Sequence, residues 1–259
     1  MKSKLFRWLA IVLIVEIGLL HIYNAQAEYE EAVYMGMVIH PVRKIRISAY
    51  ADFYRFPWLI YGVSAPSAGS DYLLQADYSV NKRTDMYLRL KYEIDPGEES
   101  IDTVALPDVI HMHRTGIRYH ISYTIARGII FQNRFEMVKV REETGKTGWG
   151  FLVYQDVGYR FKTLPLGLDF RLALFKTTDY RSRVYAYEQD LTAGFSFSPL
   201  YDTGYRTYVM LRYEPDPRIS FRFRFARTGF AGTDTIGSGY DEITGSSRND
   251  VKLQFILQI

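Results

Sequence analysis

The chain has 259 residues, 22 tyrosines, 16 phenylalanines, no cysteine and a formal charge of +3. The missing cysteines exclude a disulfide framework and thiolate metal sites, and the small, evenly spread charge argues against a nucleic-acid footprint. The length suits one or two soluble domains or a single β-barrel, and aromatic richness without a long apolar run favours the barrel.

Lys2, Lys4 and Arg7 precede an apolar stretch from Trp8 to Leu20, interrupted by Glu16 and followed by Ala25-Gln26-Ala27. This is the layout of a secretory signal peptide. The stretch is shorter than the ~20 residues a spanning helix needs. Cleavage after Ala27 is therefore expected over retention as an anchor, leaving residues 28–259 as one exported unit.

From Glu28 onward the chain shows about a dozen period-two segments of ~9–15 residues, the length of tilted membrane strands. The first lies near Ala32–Ile39. In chain order, Ile45, Ile47, Ala49, Ala51 and Phe53 alternate with Arg46, Ser48, Tyr50 and Asp52. Tyr72, Leu74, Ala76 and Tyr78 alternate with Asp71, Gln75 and Asp77, and Met86, Leu88, Leu90 and Tyr92 with Asp85, Arg89, Lys91 and Glu93. Ile117 to Ile125 opposes Arg118, His120 and Ser122, and Phe131, Phe135 and Met137 oppose Arg134 and Glu136.

The second half repeats the pattern. Phe151, Val153, Val157 and Tyr159 oppose Asp156 and Arg160, and Leu168, Phe170, Leu172 and Leu174 oppose Asp169 and Arg171. Tyr185, Tyr187, Leu191, Ala193, Phe195 and Phe197 share a face against Glu188, Asp190, Thr192 and Ser196. Tyr205, Val209, Leu211 and Tyr213 oppose Arg206, Arg212 and Glu214. In Arg218–Phe225, Ile219, Phe221, Phe223 and Phe225 oppose Ser220, Arg222 and Arg224, and Val251 to Ile259 closes the series. A soluble β-sandwich also alternates. Long, numerous strands, tyrosines toward strand ends and both charge signs on the polar face favour an antiparallel transmembrane β-barrel of about 12 strands.

Short polar connections are expected at residues 80–83, 163–166 and 214–217, and long loops at 55–70, 94–110 and 231–249. Strands that reverse direction should make short and long connections alternate. That alternation fails somewhere near Phe175–Tyr205: either one strand is missing or in excess there, or the first strand lacks its natural predecessor.

The polar face carries the candidate site. Arg46, Arg89, Arg118, Arg134, Arg160, Arg171, Arg206, Arg212, Arg222 and Arg224 share it with carboxylates that include Glu188 and Glu214. Buried charges need partners, so an ion-pair lattice lining a lumen is expected, and a charged constriction is its functional form. His111 and His113 have strand chelate spacing but no third ligand. His120 with Ser48, Ser122 or Ser196 would serve nucleophilic hydrolysis only if brought within hydrogen-bond reach. Trp58, after Pro57, suits an interfacial anchor or an aromatic ligand platform. No catalytic, metal or cofactor residue is assigned.

Several strings carry a resemblance through their order and spacing: residues 50–58 (YADFYRFPW), 65–67 (APS), 154–159 (YQDVGY), 183–188 (RVYAYE), 204–208 (GYRTY) and 236–239 (IGSG). Together they resemble the C-terminal barrel region of Bacteroidota outer-membrane helix-hairpin-helix domain-containing proteins, over residues 28–259. The resemblance implies an outer-membrane barrel in a lipid setting, with further strands upstream. The helix-hairpin-helix segment is absent, so no nucleic-acid role carries over, and a partner barrel half or another envelope protein becomes a candidate companion. A non-enzymatic pore or anchor is the expected function. A hydrolase acting on lipid or peptide, a soluble secreted β-protein and an inactive barrel fragment are the alternatives.

Overall fold

The computed structural model describes residues 31–98, 108–192, 194, 197–237 and 239–258. The expected signal peptide, Ala193, Phe195, Ser196 and the final Ile259 lie outside the described residues. Residues with β-branched and aromatic side chains at every second position favour extended backbone, and strands dominate accordingly. They are β1 (Glu31–Val42), β2 (Ile45–Phe56), β3 (Ser67–Asn81), β4 (Thr84–Glu98), β5 (Val109–Ala126), β6 (Ile129–Glu142), β7 (Thr147–Arg160) and β8 (Leu166–Thr177). Then come β9 (Val184–Tyr185), β10 (Pro199–Leu200), β11 (Thr203–Asp216), β12 (Ile219–Phe230), β13 (Thr235–Ile236), β14 (Ile243–Thr244) and β15 (Ser247–Leu257).

Eleven strands form one antiparallel sheet in the order β1-β2-β3-β4-β5-β6-β7-β8-β11-β12-β15, and β9–β10 and β13–β14 are separate two-stranded ribbons. The chain divides into two compact units, Met1–Arg118 with Lys139–Thr147, and Tyr119–Val138 with Gly148–Ile259.

In the first unit β2 sits between β1 and β3, with Ala49 opposite Met37 and Leu74. β3 pairs β4 from Ser70↔Ile94 to Asn81↔Thr84, and the connection at Lys82-Arg83 is as short as expected. The longer link over residues 57–66 holds an isolated bridge between Ile60 and Val63 and leaves Trp58 exposed.

In the second unit the β5–β6 turn depends on Gly128, whose φ of 88° is a conformation L side chains rarely adopt. The Arg160 amide donates to the Gly128 carbonyl at 2.8 Å, drawing the end of β7 against this turn. β7 pairs β8, β8 pairs β11, β11 pairs β12 and β12 pairs β15.

The structure corrects the sequence reading between Phe175 and Tyr205. Thr203 of β11 pairs directly with Lys176 of β8, and the register runs unbroken to Tyr213↔Leu166. The strand expected over 185–197, which carried Glu188 into the sheet, is therefore absent from it. Residues 178–192 instead leave the ladder and cross the polar face as a strap, closed at its base by Leu200↔Val184 and Pro199↔Tyr185. The long link between β8 and β11 then falls between the short β7–β8 and β11–β12 connections, although the short β6–β7 link over 143–146 still departs from strict alternation.

The buried side chains of the second unit share the strand faces that carry its ion pairs. Leu152, Tyr154, Ala173, Tyr208, Met210 and Ala226 are among them, and the last three cluster around one point. Strand β8 shows how unusual the polarity is. Asp169 and Arg171 are 6% and 4% exposed, whereas Phe170, Leu172 and Leu174 on its other face are 36%, 43% and 52% exposed.

Candidate functional site

Antiparallel register brings three strands' charges to one patch. Met210 of β11 lies opposite both Asp169 of β8 and Arg224 of β12, and Arg206 lies opposite Ala173 and Thr228. The strap delivers Glu188 to this patch. Its Oε1 accepts from Arg206 Nε at 2.5 Å and its Oε2 from Arg206 Nη2 at 2.9 Å, while Arg224 Nη2 also donates to Oε2. Arg206 Nη1 donates to Thr228 Oγ1 at 2.5 Å. Glu188, Arg206 and Arg224 are 3%, 4% and 1% exposed, so this is a desolvated two-arginine clamp on one carboxylate.

The strap's backbone meets the same wall. Arg171 Nη1 donates to the Tyr187 carbonyl at 2.6 Å, and Arg224 Nε donates to the Gln189 carbonyl at 3.0 Å. Lys252 reaches Asp190 Oδ2 at 2.7 Å, and Gln254 exchanges two hydrogen bonds with the Thr192 backbone. Arg171 is otherwise held by Asp156 through bonds of 2.5 and 2.6 Å, with its guanidinium 3.9 Å from the Tyr154 ring centre and 5.4 Å from that of Tyr208. Asp169 accepts from Arg160 at 3.0 Å and from Arg212 at 2.5 Å.

Two glycines of β7 let the strap approach this closely. A Cβ on Gly150 would lie 2.0 Å from the Ser182 carbonyl oxygen, and one on Gly148 would lie 2.1 Å from Asp179 Oδ2. Past the tip, Thr192, Glu214, Arg218, Ser220, Arg222 and Gln258 border an open cavity of about 490 Å³. Arg222 pairs there with the half-exposed Glu214 at 3.3 Å.

Arg134 sits 3.9 Å from Glu136, its guanidinium 5.0 Å from the Tyr154 ring centre. The first unit has its own network. Arg46 meets Asp77 at 3.2 Å, and Arg89 donates to Gln75 at 2.7 Å. Lys91 meets Asp71 at 3.1 Å and also pairs with Glu93. Tyr50 and Tyr54 donate to Asp71 and Asp95 at 3.0 and 2.5 Å. Arg118 lies on β5, at the end of this unit.

The histidines do not converge. The His111 ring is 3.2 Å from Glu143, whose carboxylate also accepts from the His111 amide, while His113 Nδ1 is 2.8 Å from the Tyr92 hydroxyl. The His111 backbone N–H is the main reason the exposed Glu143 carboxyl is held below its ordinary pKa. His120 and Ser122 lie two apart on β5, Ser48 is on β2, and Ser196 is outside the described residues.

Sequence reasoning placed Arg160, Arg171, Arg206, Arg212 and Arg224 on one face but missed Thr228 and Tyr208 as partners of Arg206, Arg171 and Arg224, and missed the Asp190–Lys252 pair beside them. The Glu188–Asp190 spacing was visible, whereas the strap that carries it over the arginines had no local signal.

The fold and site define an all-β antiparallel protein of inverted polarity, with charges inside and aliphatic and aromatic side chains outside. No family model and no curated protein matches the chain. Among solved structures it is similar to the copper transporter OprC, at 8% identity and a TM-score of 0.45 over 87% of this chain. The match covers 39% of that protein, so the chain spans well under half its length.

Proposed function

We propose that the chain is an integral β-barrel of the bacterial outer membrane, or a large part of one, acting without catalysis as a pore or anchor with a charge-lined interior. The inverted polarity of β8 carries this reading: Phe170, Leu172 and Leu174 are exposed while Asp169 and Arg171 are buried. In water such a face is an aggregation liability, whereas against lipid it is the stable arrangement. Val251, Leu253, Phe255 and Leu257 repeat it on β15, and Phe53, Leu74, Leu88 and Leu90 repeat it in the first unit. Strand lengths of 12 to 15 residues in β2–β4 and β6–β8 exceed the ~9–11 that a tilted membrane strand requires.

Fractionation of cell envelopes tests the location. The protein is expected in the outer-membrane fraction, resistant to carbonate extraction and heat-modifiable on gels. Release by carbonate as a soluble protein would contradict it. Currents across planar bilayers separate a pore from an anchor.

A further inference from the structure

The strap is built into its position, and its tip brings two carboxylates to a wall of cations. Ser182, Val184, Ala186, Glu188 and Asp190 are buried in alternation, so the backbone is extended with one edge pressed on the wall. The cations of the wall meet acceptors of the strap: Arg206 and Arg224 meet Glu188, Lys252 meets Asp190, Arg171 and Arg224 meet the Tyr187 and Gln189 carbonyls, and Arg212 meets Gln189 Oε1, while the Thr192 amide donates back to Gln254. Arg171 and Arg212 have carboxylates of their own in Asp156 and Asp169. Among the described residues, Arg206 meets a second carboxylate besides Glu188 at a longer 3.7 Å, that of Asp250. The strap's Glu188 therefore offsets the cations of β11 and β12, Arg206 and Arg224, while its Asp190 meets Lys252 of β15. Its tip also borders the open cavity at Thr192.

We infer that residues 178–192 form an inward-folded constriction, and that Glu188 and Asp190 determine its charge selectivity by masking a basic wall of Arg206, Arg224 and Lys252. With the tip seated, small anions meet a neutralised surface. With its carboxylates removed, the same wall attracts them, because a cleft lined by one sign concentrates counter-ions. The inference rests on the polar face being the water-lined interior proposed above. The glycines at 148 and 150 make the seat a property of the sheet, since any larger residue would meet the strap's own atoms.

The test uses the absence of cysteine in the full chain. Gln189→Cys places one thiol on the exposed side of the tip. Its reaction rates with an anionic sulfonate thiosulfonate and a cationic trimethylammonium thiosulfonate are compared in the detergent-extracted protein. Adding Glu188→Gln and Asp190→Asn is expected to raise the anionic-to-cationic rate ratio about tenfold, and Lys252→Gln to lower it. An unchanged ratio overturns the inference. If the double variant does not fold, Asp190→Asn alone and Lys252→Gln must still move the ratio in opposite directions, and failure to do so also overturns it. The rates need no conduction, so a chain that labels as expected but stays out of the membrane would refute the proposed function and not the masked wall.

Discussion

Glu188 is clamped side-on by Arg206, through 2.5 and 2.9 Å hydrogen bonds, although Arg206 lies on β11 and Glu188 on the strap that precedes it. This contact turns a break in strand bookkeeping into a structural element. The Tyr187 and Gln189 carbonyls of the strap accept from wall side chains, Arg171 and Arg224, rather than from a neighbouring strand.

Removing one partner of a buried ion pair strands a desolvated charge, at about 3–5 kcal/mol. Arg224→Ala should therefore lower the urea midpoint of the folded form far more than Arg222→Ala. The Arg222–Glu214 pair is half-exposed on its acidic side, and such pairs contribute about 0–1 kcal/mol. Equal shifts for the two variants would show that the clamp is not desolvated.

Gly150→Ala should dislodge the base of the strap, because its Cβ would meet the Ser182 carbonyl at 2.0 Å. The expected cost is about 1–3 kcal/mol, with faster proteolysis inside 178–202. Gly116→Ala is the control: its nearest neighbour would be Lys91 Cβ at 3.9 Å, an ordinary contact. Identical proteolysis of the two variants would contradict the close approach.

Leu172→Arg places a charge on the exposed apolar face of β8. At mid-membrane depth such a change costs about 2–4 kcal/mol, so folding into lipid vesicles should be impaired. Full tolerance would indicate that Leu172 faces water.

The Glu143 carboxyl is held low by the His111 amide. A depressed folded-state pKa stabilises above the unfolded value, and the contribution is lost as pH falls through the folded one. Glu143 should therefore titrate below the other exposed carboxylates, as read by side-chain carbon shifts. A midpoint at or above theirs would contradict the contact.

Much of the sheet was legible in the sequence because period two reports which side chains share a face. Arg218–Phe225 and the flanking strands appear as expected, with Phe221 out and Arg224 in. The same period misled at 185–197. It marks extended backbone, and extended backbone pairs with a sheet only where a neighbour offers its edge. Here β8 and β11 offer their edges to each other, so the Glu188–Asp190 edge turns to the arginines instead. Ion partners such as Lys252 for Asp190, 62 residues apart, depend on that tertiary choice and leave no local trace.

The central claim is that this protein is apolar outward and charged inward, and β8 reads it most directly. Single cysteines at Leu172, Ala173, Leu174 and Phe175, spin-labelled in lipid vesicles, should alternate. Positions 172 and 174 should collide with dissolved oxygen and be shielded from a water-soluble nickel chelate, while 173 and 175, buried on the ion-pair face, should be poorly accessible to both. Nickel accessibility at 172 and 174 equal to that of an exposed loop site would contradict the account.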